Sequence, residues 1–66
     1  MKKVGITVDN YKLEKFKNEL RGMGWELETF PLTKDTTVIT IHVEEKEVVE
    51  VYKLCKKLEL HFKNSN

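Results

Sequence analysis

The residues in this sequence that could perform acid–base chemistry are a histidine and two glutamates. His42 lies in a segment that alternates apolar and polar residues. If this segment is a strand paired with the preceding one, His42 faces Glu26 or Glu28 across the sheet. A nearby carboxylate stabilises a protonated imidazole, so these residues are a candidate titrating pair. Catalysis also needs a pocket and a group that positions substrate, and neither is indicated. We expect a solvated cross-strand pair and no catalytic residues.

A metal site would have to combine His42, His61 and Cys55, since the chain holds two histidines and one cysteine. Cys55 and His61 are six residues apart in a predicted helix, which places them about 120° apart around its axis. Neither a CxxC nor an HxxxH spacing occurs. Cys55 lies in the apolar stripe of the predicted helix, so we expect it to be a small core residue. A thiol in such surroundings is unreactive, because its thiolate is disfavoured. The sequence predicts no metal, no cofactor and no enzyme.

The charge balance argues against nucleic acid as the main partner. Twelve Lys and Arg stand against eleven Asp and Glu, for a net charge of +1. Binding to phosphates is usually driven by a basic excess or a basic face. Nucleic-acid binding through the helix lysines or the open sheet face is therefore kept as the alternative function.

Composition predicts a cytoplasmic protein with no membrane partner. The apolar run that begins at Val4 stops at Asp9, which is too short for a secretion signal or a membrane span. A single cysteine cannot form an internal disulfide. The chain contains no Ala and no Gln, and eleven of its twelve basic residues are Lys. This bias is typical of an AT-rich genome, such as that of a phage or mobile element, and also resembles thermophile composition.

Hydrophobic periodicity divides the chain into five elements. Period-two alternation predicts strands, and apolar residues spaced three and four apart predict helices. The strands are expected at Lys3–Val8, Trp25–Phe30 and Thr37–Val43, and the helices at Tyr11–Met23 and Glu44–Phe62.

The helices each carry one apolar stripe that predicts the core. The stripe of the first helix contains Leu13, Phe16, Leu20 and Met23. The stripe of the second contains Val48, Val51, Tyr52, Cys55, Leu58 and Phe62. Trp25 is also expected in the core. Gly22 and Gly24 end the first helix, one of them in the left-handed conformation.

The order β-α-β-β-α predicts an α+β fold. The third strand, returning antiparallel, fits between the first two, which gives a three-stranded mixed sheet of order 1-3-2 with both helices on one face. This is the ferredoxin-like pattern without its last strand. We expect one domain at 1–63 and a disordered tail at 64–66. Placing Leu27 and Ile41 on one face requires a hairpin loop of odd length or a bulge near Pro31.

The missing last strand leaves the first strand with an open edge, which favours pairing with another chain. The predicted function is a small non-enzymatic interaction or regulatory module that forms a homodimer through this strand and binds an unidentified protein. A ligand sensor with His42 inside a dimer interface is a further alternative. The candidate interaction surface combines the edge with apolar residues that so small a monomer has difficulty burying. Its members are Lys3, Gly5, Thr7, Leu32, Val49, Leu54 and Leu60.

Overall fold

The computed structural model describes residues 1–64 and contains three strands and two α-helices. The elements are β1 (Lys2–Asp9), α1 (Asn10–Gly22), β2 (Glu26–Pro31), β3 (Thr36–Val43) and α2 (Val48–Asn64), with a 3-10 turn at Glu45–Glu47 before α2. The predicted α+β class is confirmed. α2 includes Asn64, the first residue of the predicted tail, while Ser65 and Asn66 lie outside the described residues.

The sheet has the predicted strand order, β1-β3-β2. Both pairings are antiparallel, so the prediction of a mixed sheet was wrong. β1 and β2 run in the same direction, but β3 lies between them and no parallel ladder forms. β3 takes the centre because every second side chain along it is apolar or β-branched and becomes buried.

The register of β2 on β3 follows from the need to keep apolar residues on one face. Leu27 pairs with Ile41, and Glu26 pairs with His42. The loop between the paired residues Pro31 and Thr37 comprises residues 32–36. This number is odd, as the same-face requirement predicted.

The core lies on one face of the sheet, between the strands and the two helices. Alternate residues of β1 and β3 supply the sheet side of the core, namely Val4, Val8, Ile39, Ile41 and Val43. The helix side is formed by Phe16, Leu20, Val51 and Leu58, and Trp25 joins the same cluster. Burial of these side chains is the main favourable term in folding. Among the described residues no helix packs on the opposite face of the sheet, where the β3 side chains are half-buried.

The end of α1 shows one correct and one wrong prediction. Gly24 adopts a φ of 85°, the left-handed conformation that glycine tolerates best. Met23, expected in the core stripe, is exposed. It lies beyond the last helical residue, Gly22, so the helical period no longer directs its side chain to the core.

Asn10, at the start of α1, connects the helix to the β2–β3 loop. Its amide nitrogen donates to the carbonyl oxygen of Lys34 at 2.9 Å. Its amide oxygen accepts a hydrogen bond from the hydroxyl of Thr37 at 2.6 Å. The backbone N–H of Asn10 also donates to the carbonyl of Asp35 at 2.8 Å. One side chain therefore holds together segments more than 20 residues apart.

Substitution of Asn10→Ala is expected to destabilise the fold by about 1–3 kcal/mol, because it leaves the buried Thr37 hydroxyl without its acceptor. Thr37→Val should cost less, since Asn10 is exposed and water can replace the hydroxyl. Urea unfolding of the two single variants and the double variant measures the coupling. If Asn10→Ala lowered the free energy of unfolding equally in the natural chain and in the Thr37→Val variant, this interpretation would be contradicted.

The Trp25 indole is anchored to the turn that precedes α2. Its Nε1–H donates to Glu47 Oε2 at 3.1 Å. The other oxygen of Glu47 accepts the backbone N–H of Glu44 at 3.1 Å, as part of a capping box. The indole hydrogen bond, assisted by that of Glu44, holds the pKa of Glu47 below its ordinary value of 4.5.

The lowered pKa predicts a loss of stability in acid. A carboxyl group with a depressed folded-state pKa contributes stability above its unfolded pKa, and this is lost as pH falls through the folded value. The natural chain should therefore have a lower free energy of unfolding at about pH 3 than at neutral pH. In Glu47→Gln this difference, measured by urea unfolding, should be smaller. Trp25→Phe, which removes the indole N–H and keeps the Glu47 carboxylate, should narrow the same difference.

Candidate protein-interaction surface

His42, Glu26 and Glu28, the residues of the candidate titrating pair, lie on the open face of the sheet. The strand register alone does not show which of the two carboxylates contacts the imidazole. Glu26 lies directly opposite His42. The nearest carboxylate contact is nevertheless diagonal, between His42 Nε2 and Glu28 Oε1 at 3.6 Å. Glu28 is largely exposed. This distance suits an ion pair when the imidazole is protonated, and it makes a solvated cross-strand contact.

Cys55 is half-buried rather than a full member of the core. Burial, with a smaller contribution from Glu59, raises the pKa of its thiol. The thiolate is therefore scarce at neutral pH, which makes the sulfur a poor nucleophile. His61 lies on the exposed side of the same helix, with its ring against Phe62 at 5.6 Å. Within residues 1–64, no group of three or more His, Cys, Asp or Glu is placed to hold a metal ion.

β1 lies at one edge of the sheet and pairs with β3 on one side only. Antiparallel ladders alternate, so successive residues direct their N–H and C=O groups to opposite sides of the strand. The bond from the Asn10 N–H to Asp35 lies where the β1–β3 register continues. It indicates that even-numbered residues of β1 bond to β3. Lys3, Gly5 and Thr7 therefore direct their backbone groups away from the sheet.

The helix α2 runs beside this edge and forms grooves with it. At the start of β1, a groove of about 390 Å³ has one wall of Lys2, Lys3 and Val4 and a second wall of Glu45, Val48 and Tyr52. Towards the end of β1, a groove of about 310 Å³ is lined by Ile6, Thr7, Val8, Phe16, Cys55, Lys56 and Glu59. The edge strand and one side of α2 together make a continuous surface, which we call the β1–α2 surface.

A further groove of about 390 Å³ continues this surface towards the end of α2. It is lined by Tyr11, Lys12, Lys56, Glu59, Leu60, Phe62 and Lys63. Lys12 Nζ donates to Glu59 Oε2 at 2.9 Å, and this bond raises the pKa of the ammonium group. The same ammonium lies 5.5 Å from the ring centroid of Tyr11 and 5.7 Å from that of Phe62. These contacts join the beginning of α1 to the end of α2.

The predicted apolar members of the interaction surface are only partly brought together. Val49 is 59% exposed and Leu60 is 49% exposed, and both belong to α2. Leu32 is also exposed, but it follows β2 at the opposite edge of the sheet. Leu54 was predicted wrongly, since it is half-buried and packs against the core.

Tyr52 was also predicted wrongly, because it was assigned to the core and is 57% exposed. It lies about 100° around the helix from the fully buried Val51. Tyr52 therefore lies on the side of α2 that faces the edge of β1 rather than the core. Two features of the sequence could have indicated this exposure. Tyr is a frequent interface residue, and the predicted three-stranded sheet has no strand beyond β1 to cover this side of α2.

The helix lysines considered for nucleic-acid binding lie among acidic side chains. Lys12 pairs with Glu59, and Lys17 Nζ lies 3.6 Å from Glu14 Oε1. The open face of the sheet carries exposed carboxylates at Glu26 and Glu28. Binding to nucleic acid stays a prediction of the sequence, and a steep fall of affinity with salt is its signature.

Comparison with known proteins does not relate this chain to a known family. No protein-family model matches the chain, and no curated protein or solved structure is significantly similar to it. In the part of the chain that the structure describes, neither helix is long and apolar enough to cross a membrane.

Proposed function

We propose that this chain is a small, non-enzymatic protein-interaction module that acts by strand addition at the free edge of β1. The observation that carries the proposal is the β1–α2 surface, where outward-directed backbone groups lie beside the exposed ring of Tyr52 and the half-buried Val48. An added strand obtains affinity from backbone hydrogen bonds and specificity from alternate side chains. Tyr52 on α2 would contact such a strand, and Val49 and Leu60 would contact the element that follows it.

We infer a ferredoxin-like topology in which the last strand is supplied by another chain. The support is the element order β-α-β-β-α with β3 in the centre. In the six-element pattern, the last strand completes the sheet. Its position beside β1 is the one that this chain leaves open.

The partner that we propose for this edge is a second copy of the chain. Two β1 strands can pair around a two-fold axis and join two sheets of three strands into one of six. A chain of 66 residues buries a small core, so the added interface would also contribute to stability. The second, unidentified protein partner stays a prediction from the apolar residues that a small monomer has difficulty burying. The regulatory role and the cytoplasmic location stay predictions from size and composition.

The experiment is light scattering of the purified chain over a concentration series at low and high salt. The proposal predicts a mass near twice 7.8 kDa that falls towards 7.8 kDa on dilution. Amide hydrogen exchange should show protection at Gly5 and Thr7 that increases with concentration. A monomer at every concentration would contradict the homodimer, and a dimer without protection in β1 would exclude this edge.

A further inference from the structure

We propose that the two copies pair with the two-fold axis at Ile6, so that Lys3 faces the partner's Asp9 and the two α2 helices lie antiparallel. This inference rests on the proposed function, and it assigns the register and the contacts of the dimer. Two independent features of the chain, one in β1 and one in α2, lead to the same axis.

The first feature is the pattern of faces and charges along β1. Cross-strand partners share a face of the sheet, so even residues pair with even residues and odd with odd. An axis at Ile6 or at Gly5 satisfies this rule. At Ile6, Lys3 opposes the partner's Asp9, and Val4 opposes the partner's Val8. At Gly5, Lys3 instead opposes the partner's Thr7. Opposite charges across a ladder are favourable, so β1 favours Ile6.

The second feature is the charge gradient along α2 and the turn before it. The beginning is acidic, with Glu44, Glu45, Glu47 and Glu50, and the later part is rich in lysine, with Lys53, Lys56, Lys57 and Lys63. A two-fold axis makes the helices antiparallel and places the acidic beginning of each beside the basic end of the other. Glu45 and Tyr52 line the groove at the start of β1, and Leu60 and Lys63 line the groove near the end of α2, whereas Val49 lies about 60° further around α2 from Tyr52.

The grooves relate positions on α2 to positions on β1. Residues 2–4 lie beside Glu45, Val48 and Tyr52, and residues 6–8 lie beside Cys55, Lys56 and Glu59. Ile6 therefore lies level with about residues 54–55 of α2, by interpolation between the two grooves. An axis at this level brings Glu45 near the partner's Lys63 and places Val49 level with the partner's Leu60.

The axis at Gly5 gives poorer contacts between the helices. It lies level with about residue 52 or 53 of α2 on the same interpolation. Val49 would then face the partner's Lys56, and Glu45 would face the partner's Leu60. Of the two axes compared, only the one at Ile6 places an acidic residue of one helix beside a basic residue of the other. Both features thus favour Ile6 over Gly5.

Charge reversal on α2 tests the helix contacts. Glu45→Lys and Lys63→Glu each replace two attractive contacts per dimer by two repulsive ones, so each variant should dimerise about tenfold more weakly or worse. An equimolar mixture of the two variants restores both attractive contacts and should recover dimer formation. Glu45 and Lys63 are exposed, so neither change disturbs the core.

The matched controls are Glu50→Lys and Lys57→Glu, which lie on the side of α2 away from the β1 edge. They should leave the dimer constant unchanged, alone and mixed. Light scattering and sedimentation of each sample give the comparison. Failure of the mixed Glu45→Lys and Lys63→Glu variants to recover a dimer would overturn the helix contacts.

Disulfide formation tests the axis in a Cys55→Ser background. With the axis at Ile6, Ile6→Cys faces its own copy at a non-hydrogen-bonded site with Cα atoms about 4.5 Å apart, a distance that a disulfide spans. Gly5→Cys would then lie about 8 Å from its copy, which is too far. Rapid oxidation of Ile6→Cys and slow oxidation of Gly5→Cys is the expected result.

The outcomes separate this inference from the proposed function. A chain that is a dimer by light scattering, but links through Gly5→Cys and not Ile6→Cys, overturns the axis and keeps the edge pairing. A dimer that links at neither position also overturns the register. A monomer overturns the homodimer itself.

Discussion

Replacing Gly5 by proline is expected to convert the proposed dimer into a folded monomer of 7.8 kDa. Proline lacks the N–H that Gly5 directs away from the sheet, and its ring occupies the place of the incoming strand. The β1–β3 ladder is retained, because the even-numbered residues of β1 bond to β3. Proline is tolerated on edge strands for this reason. Light scattering gives the mass, and far-ultraviolet circular dichroism checks the fold.

Gly5→Ala is the matched control, because it adds a side chain and keeps the N–H. Nothing lies within 4 Å of a Cβ at this position, so the alanine variant should remain a dimer. A Gly5→Pro variant that still dimerises would place the interface elsewhere. A proline variant that unfolds, beside a normal alanine variant, would show that the Gly5 N–H bonds within the chain's own sheet.

Truncation of Phe16 to alanine is expected to cost about 3–5 kcal/mol, close to the whole stability of a domain of this size. Phe16 is 1% exposed, and its ring stacks on Phe62 with centroids 6.2 Å apart. Removing it leaves a cavity between α1, α2 and the sheet that a small domain cannot fill by repacking. Urea unfolding at one protein concentration measures the change, with dimerisation held constant.

Phe30→Ala provides the same chemical change at an exposed site. Phe30 is 55% exposed at the end of β2, so its removal should cost below about 1 kcal/mol, mainly through strand propensity. Similar losses in the two variants would mean that the described core does not control stability. A small loss for Phe16→Ala would require α1 and α2 to pack on the sheet without the Phe16–Phe62 contact.

The order of the strands was predictable because Thr37–Val43 is the most regular apolar strand of the three, and Pro31 places the second strand at an edge. β3 alternates buried and half-buried residues from Thr36 to Val43, and such a strand is most stable between two others. The same-face rule then determined that Leu27 pairs with Ile41. The prediction of a mixed sheet was wrong because it counted the direction of strands that are not neighbours.

The interaction surface was harder to predict, because exposure depends on what lies next to a residue. Tyr52 and Leu54 both lie on α2 near its apolar stripe. Tyr52 was predicted to be buried and is exposed, whereas Leu54 was predicted to be exposed and is half-buried. Leu54 packs against the core, whereas Tyr52 lies beyond the edge of β1, where no strand covers it. A helical wheel gives the angle between two residues but not the position of the sheet edge.

The elements, their order, the central position of β3 and the edge position of β1 could be predicted from the residues, since these depend on local periodicity and on alternation along a strand. The contacts between distant groups depend on how the helices and strands pack. Asn10 bonds to the β2–β3 loop, Trp25 bonds to Glu47, and His42 contacts Glu28 rather than the directly opposed Glu26. These contacts join residues up to 24 positions apart, and they depend on the angles at which helices and strands pack, which no local pattern encodes.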